Sequence, residues 1–156
     1  MNSESHMMRA IELAREGMLR GDGGPFGAVV VKDDRIIGEG WNRVIATHDP
    51  TAHGEITAIR DACVRLGDHS LEGCEIFTTG QPCPMCLGAI YWARIRRISY
   101  GFRIEDAAAL GFDDVDFFRQ MALPPEHRRV PSREICRSEA LELARRYAEI
   151  PEKRHY

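Results

Sequence analysis

The sequence predicts an α/β fold, a three-layer α/β/α sandwich around a five-stranded mixed sheet. Amphipathic helical stretches alternate along the chain with short runs of β-branched residues, and the first two such runs have the pattern of a hairpin. No internal repeat, low-complexity tract or linker divides the chain. Because 156 residues are enough to bury one core, we expect residues 1–156 to form a single domain.

The first half of the chain is expected to fold as a helix, a hairpin and a second helix. Apolar residues at helical spacing occupy about residues 4–20, and the glycine- and proline-rich segment 21–25 ends them. The β-rich runs 28–31 and 36–41 follow, separated by two aspartates that form a turn. Helical spacing of apolar residues then returns over 55–66.

The second half is expected to alternate strands with helices. Strands are predicted over 75–79 and 97–100, and the proline at position 84 suits the first turn of a helix that continues to about residue 93. The remaining predicted elements are a short helix over 104–110, a fifth strand over 133–136 and a final helix over 139–149.

The composition excludes several classes of protein. Hydrophobic residues make up 44% and charged residues 29%, which is typical of a soluble globular chain and not of a disordered or fibrous one. No apolar run approaches the roughly 18 residues that a membrane span needs. The net charge of −3 argues against a nucleic-acid partner, although the last 29 residues are basic, a feature more typical of a solvated helix face.

Cysteine usage indicates a reducing compartment. The five cysteines are an odd number, and the N-terminus lacks a secretory pattern, so we expect a cytoplasmic chain without disulfides. Cys63, Cys74 and Cys136 lie among apolar neighbours and are expected to be small buried hydrophobic residues. The pair Cys83 and Cys86 differs from them, because only two residues separate its members.

Two short segments carry the chemistry. His53 and Glu55 open one predicted helix, and Cys83 and Cys86 open another. Catalytic zinc keeps three protein ligands and one open position for water, and His53, Cys83 and Cys86 can supply those three. Zinc lowers the pKa of water to roughly 7. Glu55, two residues after the histidine, is placed to move protons between that water and a substrate. This pattern is the signature of zinc-dependent nucleobase deaminases, with one Zn²⁺ per subunit.

Three alternative functions fit these segments less well. A closed structural zinc site would need a fourth ligand, for which Cys63 or Cys74 would have to serve. A thioredoxin-like redox motif would leave His53 and Glu55 without a role. A zinc-bound module that binds a partner without catalysis is the alternative from a different functional class.

Four segments of the chain and two single residues match one known family. The segments are 23–29 (GGPFGAV), 49–53 (DPTAH), 82–94 (PCPMCLGAIYWAR) and 111–114 (GFDD), and the single residues are Glu55 and Tyr156. The chain resembles the cytidine-deaminase-like superfamily along nearly its whole length, and within it the bacterial guanine deaminases. The resemblance implies a zinc-dependent hydrolase that deaminates a free nucleobase, turning guanine into xanthine and ammonia. It also implies a homodimer that exchanges its C-terminal segments.

The resemblance further implies six contacts to the substrate. Each residue is also compatible with a structural role, such as a core anchor, a turn, a helix cap or a chain end. The implied roles are an amide contact from Asn42, ring stacking by Phe26, a backbone N–H contact from Gly54, a pocket wall at Trp92, a hydrogen bond from the purine to Asp114, and closure of the site by Tyr156.

Two positions depart from the guanine deaminase pattern. Gly54 stands where that pattern has alanine, and Gln81 stands where glutamate usually precedes the Pro-Cys pair. These departures leave open an alternative substrate: cytosine, a triazine such as ammeline, a modified purine or a nucleoside. Adenosine in transfer RNA is less favoured, because of the negative net charge and the GFDD segment.

Overall fold

The structure is a computed structural model that describes residues 2–156. The chain divides into two compact units, one ending at Phe118 and the other comprising Arg119–Tyr156. The elements are α1 (Ser3–Arg20), β1 (Gly27–Lys32), β2 (Arg35–Trp41), α2 (Val44–Thr47), α3 (Gly54–Leu66), β3 (Glu75–Gly80), α4 (Pro84–Trp92), β4 (Arg97–Phe102), α5 (Ile104–Ala109), α6 (Asp114–Ala122), a 3₁₀ turn (Pro125–His127) and α7 (Arg137–Glu149).

The helix ends follow local capping rules. The Asn2 side chain accepts a hydrogen bond from the Ser5 N–H at 2.9 Å and so caps the start of α1. Gly21 and Gly67 adopt left-handed backbone conformations and end α1 and α3. Pro84 occupies the first turn of α4, where its missing N–H costs nothing. These signals are local, which is why the sequence predicted these helices nearly to the residue.

One mixed sheet organises the first unit, with the strand order β2-β1-β3-β4. Strand β1 pairs antiparallel with both β2 and β3, whereas β3 and β4 are parallel. Alternate residues of β1 and β3 face opposite sides of the sheet. Val30 and Ile76 pack with α3 and α4, while Val29 and Phe77 pack with α1. The three predicted layers are therefore present around a sheet of four strands.

The prediction of a fifth strand over 133–136 was wrong. This segment has no β-ladder partner in the described chain and contains no strand residue. Ile135 is 64% exposed, and Cys136 has a left-handed φ of 50° just before α7 begins. A short, charged segment with few apolar side chains gains little from pairing unless a neighbouring strand is available.

The three cysteines outside the Cys83–Cys86 pair differ from one another in burial. Cys74 is fully buried, as predicted, whereas Cys63 is only half-buried and Cys136 is exposed. The prediction for Cys136 was wrong because its apolar sequence neighbours are themselves exposed. Among the described residues, no helix has the length and apolar content that crossing a membrane requires.

Helix α3 lies directly on the backbone of β2. A Cβ atom added to Gly38 would lie 2.5 Å from the Ala58 carbonyl oxygen, and one added to Gly40 would lie 2.5 Å from the Gly54 carbonyl oxygen. No side chain fits between the strand and the helix at these two positions. The start of α3 is therefore held at a fixed height above the sheet.

We expect Gly40→Ala to lower the free energy of unfolding by roughly 1–3 kcal/mol, because the new methyl group must push α3 away from β2. Chemical denaturation measures this change. Val64→Ala is the control, since Val64 is 81% exposed on α3, and its effect is expected to stay within about 0.5 kcal/mol. Equal stabilities for the two variants would contradict the close packing.

Candidate active site

The three predicted metal ligands meet where two helices begin. His53 precedes the first residue of α3, Cys83 precedes the first residue of α4, and Cys86 lies in the first turn of α4. The Cys86 N–H donates to the Cys83 Sγ at 3.4 Å. Exposed N–H groups at a helix start favour thiolates, so the local backbone prepares both cysteines to bind a cation.

The spacing of these side chains fits zinc. His53 Nδ1 lies 3.6 Å from Cys83 Sγ and 3.5 Å from Cys86 Sγ. Tetrahedral zinc with ordinary bond lengths separates its nitrogen and sulfur ligands by about 3.6 Å. The group contains these three residues and, within the described chain, neither Cys63 nor Cys74. The ligand set therefore leaves a fourth position open, as catalytic zinc sites do.

The pKa values of the two cysteine thiols are shifted in opposite directions. A hydrogen bond with Cys86, assisted by one with His53, lowers the pKa of Cys83 to about 4. The same hydrogen bond, together with burial, raises the pKa of Cys86 far above its ordinary value. The hydrogen bond with Cys83 raises the pKa of His53. One thiolate, one thiol and an imidazole that readily accepts a proton thus face one another.

Glu55 lies beside this group and is almost completely buried, with 4% of its surface exposed. Its Oε2 atom is 3.4 Å from Cys86 Sγ. Burial raises the pKa of the Glu55 carboxyl, and the charge of Cys83 raises it further. A carboxyl group whose pKa moves toward neutrality is suited to take up and release a proton during a reaction.

The metal group opens into a cavity of about 420 Å³ within the first unit. This volume falls within the range that small-molecule sites occupy. Most of the lining is apolar, with a few polar side chains among it. The lining residues are Gly23, Gly24, Phe26, Asn42, Val44, Ile45, Pro50, His53, Glu55, Gln81, Cys83, Phe112 and Asp114.

Aromatic packing shapes one wall of the cavity. The Phe26 ring meets the Phe112 ring edge-on, with centroids 4.9 Å apart, and lies 5.7 Å from the Phe102 ring. Such tilted pairs add to the stabilisation that burial provides. The position of the Phe26 ring is therefore fixed on two sides while the residue lines the cavity.

The orientation of Asn42 is also fixed. Asn42 is buried, and its Oδ1 accepts a hydrogen bond from the Val44 N–H at 3.1 Å. A Cβ atom on Gly23 would collide with this carboxamide, so the glycine gives Asn42 its space. Since Oδ1 faces the backbone of α2, the Nδ2 group is the end left to donate to a ligand.

Asp114 is the first residue of α6 and lines the same cavity. Desolvation by burial and the charge of Cys83 raise the pKa of its carboxyl. Asp114 therefore joins Glu55 as a second proton acceptor in the cavity.

The structure places the other three predicted contacts elsewhere. Gly54 is buried but does not line the cavity, and a Cβ atom there would lie 3.0 Å from the Phe26 carbonyl oxygen. Trp92 ends α4, is 63% exposed and does not line the cavity. Tyr156 belongs to the second unit and is 73% exposed. Substrate contact by these residues stays a prediction.

The sequence did not single out several residues that line the cavity. Val44 and Ile45 lie between the predicted strand 36–41 and the predicted helix 55–66, where residues 44–47 form a short helix, and Pro50 lies in the DPTAH segment. Phe112 lies within the GFDD segment, so the motif pointed to its neighbourhood but not to its role. No local signal distinguishes these apolar side chains from ordinary core residues, because only the fold brings them to the cavity.

A family model, described as the cytidine and deoxycytidylate deaminase zinc-binding region, matches residues 1–102. This match covers more than half of the chain and includes all three metal ligands and Glu55. The chain belongs to this family. It is a zinc-dependent hydrolytic deaminase, and its fold is that of the cytidine-deaminase-like proteins.

Two of the relatives to which this deaminase is similar are guanine deaminases. It is 46% identical to guanine deaminase of Bacillus subtilis (strain 168) over 100% of both chains, and the crystal structure of the Bacillus subtilis guanine deaminase matches with a TM-score of 0.95 over 100% of this chain and 99% of the other. A structure of guanine deaminase from Nitrosomonas europaea matches with a TM-score of 0.69 at 32% identity, covering 94% of this chain and 84% of the other.

More distant relatives act on transfer RNA. The tRNA-specific adenosine deaminase of Haemophilus influenzae is 42% identical over 117 residues, which are 71% of this chain and 67% of that protein. The similarity therefore extends to deaminases named for transfer RNA, whereas the Bacillus subtilis protein is similar to this chain from end to end.

Zinc binding by the deaminase is expected to depend on pH. Above about pH 4 Cys83 is already a thiolate, whereas the raised pKa of Cys86 means that zinc must displace its proton. Apparent zinc affinity should therefore rise by at least about tenfold per pH unit between pH 6 and pH 8. Competition with a chromogenic chelator measures this affinity.

Cys136→Ser provides the control for this titration. Cys136 is exposed and stands outside the metal group, so its loss should leave the slope unchanged. A zinc affinity that stays constant across this pH range would contradict a protonated Cys86.

Proposed function

We propose that this deaminase converts guanine and water into xanthine and ammonia. The observation that carries the proposal is the similarity to a guanine deaminase over the whole length of both chains, in a protein whose zinc group and Glu55 adjoin one cavity. Gly54 does not distinguish guanine from another ring, since a Cβ atom there would lie 3.0 Å from the Phe26 carbonyl oxygen, a contact that a shift of a few tenths of an ångström relieves.

The proposed reaction replaces the C2 amino group of guanine with an oxygen atom from water. His53, Cys83 and Cys86 would hold the zinc ion, which would supply a water molecule that ionises near neutral pH. Glu55 accepts the first proton from that water and delivers it to ring nitrogen N3 as the water oxygen bonds to C2. The second proton then passes through Glu55 to the amino group, the C2–N bond breaks, and ammonia leaves as the C2 carbonyl forms.

Three other side chains are proposed to orient the base. The Phe26 ring packs against one face of the purine, in the position that its neighbours Phe102 and Phe112 fix. Asn42 donates from Nδ2 to a ring acceptor, because the Val44 N–H holds its oxygen. Asp114 accepts a hydrogen bond from a ring N–H and can hold a proton, which its raised pKa favours.

We further propose that the enzyme works as a homodimer that exchanges its C-terminal segments. Large apolar side chains are exposed on α4 and β4, with Tyr91 at 70% and Tyr100 at 45%. None of the residues 119–156 is buried, although Leu143 and Tyr147 on α7 are apolar. A segment without a buried core of its own gains stability by packing on another surface, and a partner subunit can offer one. Trp92 and Tyr156 would complete the site in this assembly.

The cysteines support a cytoplasmic location. All five are free, and the zinc group needs two of them reduced. A reducing compartment maintains such thiols.

Glu55→Gln tests the proposed reaction. The amide cannot relay protons, so guanine turnover should fall by at least about a thousandfold while zinc content stays unchanged. Ammonia release from guanine, cytosine, ammeline, 8-oxoguanine, guanosine, cytidine and adenosine measures activity and substrate choice together. Zinc content by atomic absorption confirms that the metal site is intact. Guanine left unchanged while another ring is deaminated would overturn the proposed substrate, and full activity of the variant would overturn the role of Glu55.

Removal of Tyr156 tests the exchanged tail. We expect KM for guanine to rise by about tenfold with unchanged zinc content, because the site loses a closing side chain but no ligand. Tyr156→Phe is the matched control and should keep most of the activity, since it retains the ring. Kinetics unaffected by the deletion would contradict closure by this residue.

Mixing the two impaired types of chain shows whether the tail crosses between subunits. After co-refolding, the Glu55→Gln chain can lend its Tyr156 to a chain that lacks only that residue. Random pairing makes half of the dimers mixed, and each mixed dimer has one complete site. The value of kcat/KM per total chain should then reach about a quarter of that of the unaltered enzyme. No recovery above the separate variants would indicate that each tail serves its own subunit.

A further inference from the structure

Helix α2 supplies part of the cavity wall but has little packing of its own. Val44 and Ile45 of this helix line the cavity, as does Asn42 two residues before it. None of the four described residues of α2 is buried, and Ile45 is 65% exposed. Because a single helical turn is not stable by itself, another part of the chain must hold α2 in place.

The main chain of Asp22 holds α2. The Asp22 carbonyl oxygen accepts hydrogen bonds from the N–H groups of Ile45 and Ala46, each at 3.1 Å. The Asp22 N–H donates in turn to the carbonyl oxygen of Gly17 at 3.0 Å, next to the glycine that ends α1. Asp22 therefore joins the end of α1 to the cavity wall, and a displacement of its main chain would move α2.

Trp41, the last residue of β2, fixes the side chain of Asp22. The indole Nε1–H donates to Asp22 Oδ2 at 2.8 Å, and the Nε–H of Arg20 donates to the same oxygen at 3.2 Å. The hydrogen bond with Trp41 holds the pKa of the Asp22 carboxyl below its usual value, and the one with Arg20 lowers it further. A hydrogen bond to an ionised carboxylate is among the stronger ones in proteins.

The indole ring is itself held in one position. The guanidinium groups of Arg20 and Arg43 lie over the ring of Trp41, at 5.2 and 5.5 Å from its centroid. A Cβ atom on Gly17 would collide with the ring, so α1 leaves space for the indole only because this residue is a glycine. A ring that contacts two cations and a helix backbone keeps its direction, and the indole N–H therefore stays aimed at Asp22.

We propose that Trp41 is a positioning residue for substrate binding, which acts by holding Asp22 and through it α2 at the cavity. This inference rests on the proposed function for the identity of the substrate. Trp41 also directly precedes Asn42, so the same ring fixes where that cavity residue begins. The metal group and Glu55 lie at the starts of α3 and α4. Loss of the hydrogen bond therefore weakens binding of the base and leaves zinc binding and proton transfer intact.

Trp41→Phe tests this role, because it removes the indole N–H and keeps an aromatic ring between the two guanidinium groups. We expect KM for guanine to rise by about fivefold or more, with kcat within about twofold of the unaltered enzyme and zinc content unchanged. Asp22→Ala removes the acceptor and should raise KM by at least as much. Steady-state ammonia release measures both constants.

A double-mutant cycle shows whether the two residues act as a pair. If they act through their shared hydrogen bond, Trp41→Phe should add no more than about a twofold rise in KM to that of Asp22→Ala. Arg20→Gln examines the second donor to the same oxygen. Since exposed ion pairs contribute little, its KM should stay within about twofold of the unaltered enzyme.

Hydrogen exchange followed by NMR reports on α2 directly. The amides of Ile45 and Ala46 should exchange at least about tenfold faster in Trp41→Phe, because their acceptor is no longer held in place. Amides of the buried strand β3 should keep their rates. An equal acceleration in β3 would indicate a general loss of stability and would contradict a local role for the indole.

Glu39→Ala is the matched control. Glu39 also lies on β2, and its carboxylate joins this strand to α1 through Arg9, with N–O distances of 2.8 and 3.1 Å. It does not line the cavity. Its loss should therefore change thermal stability while KM stays within about twofold of the unaltered enzyme.

Three outcomes would overturn the proposal: an unchanged KM in Trp41→Phe, an equal rise of KM in Glu39→Ala, or independent effects of the two substitutions in the cycle. Failure of the proposed function looks different, since the unaltered enzyme would then deaminate another ring and spare guanine. KM is in that case measured on that ring, where the same comparison decides the role of Trp41.

Discussion

The contact between α3 and β2 is the constraint on which the site depends. Gly38 and Gly40 let the helix lie against the strand backbone, with no side chain in between. The start of that helix carries His53 and Glu55, so a shift of the helix would move a residue of the metal group and the proposed proton carrier together. The two cysteines lie at the start of α4, which follows β3 in the chain. The packing of α3 on β2 and the connection from β3 to α4 thus set the distances among the three residues of the metal group and the Glu55 carboxyl group.

The polar side chains of the cavity are oriented by hydrogen bonds with the backbone at one end of each side chain. The oxygens of Asn42 and Gln81 are each held by a backbone N–H, which settles the direction of both amides before a ligand arrives. Glu55 and Asp114 are carboxyls whose pKa values burial raises. Burial of such groups destabilises the fold, and the proton transfers that we propose for deamination would account for their presence in one cavity.

The two units differ in what holds them together. The first has both faces of its sheet covered by helices, whereas the residues of the second are all exposed or half-buried. Exposed aromatic side chains at the end of α4 and in β4 give the first unit an apolar surface of its own. The proposed dimer accounts for both facts, because it would cover apolar surface on both units and bring the chain end to a site.

The sequence by itself determined the chemistry of the site and most of the helices and strands. Ligand spacing, a proline at a helix start and glycines at helix ends are local signals. The grouping of His53, Cys83 and Cys86 could therefore be predicted from the sequence alone, with Glu55 two residues after the histidine. Strand pairing is not local, and the segment 133–136 was predicted as a strand although no partner strand exists for it in the described chain. Only the tertiary structure brought Phe112 and Gln81 to the cavity and left Trp92 outside it. It alone oriented the two carboxamides, because their partners are backbone groups whose positions the fold decides.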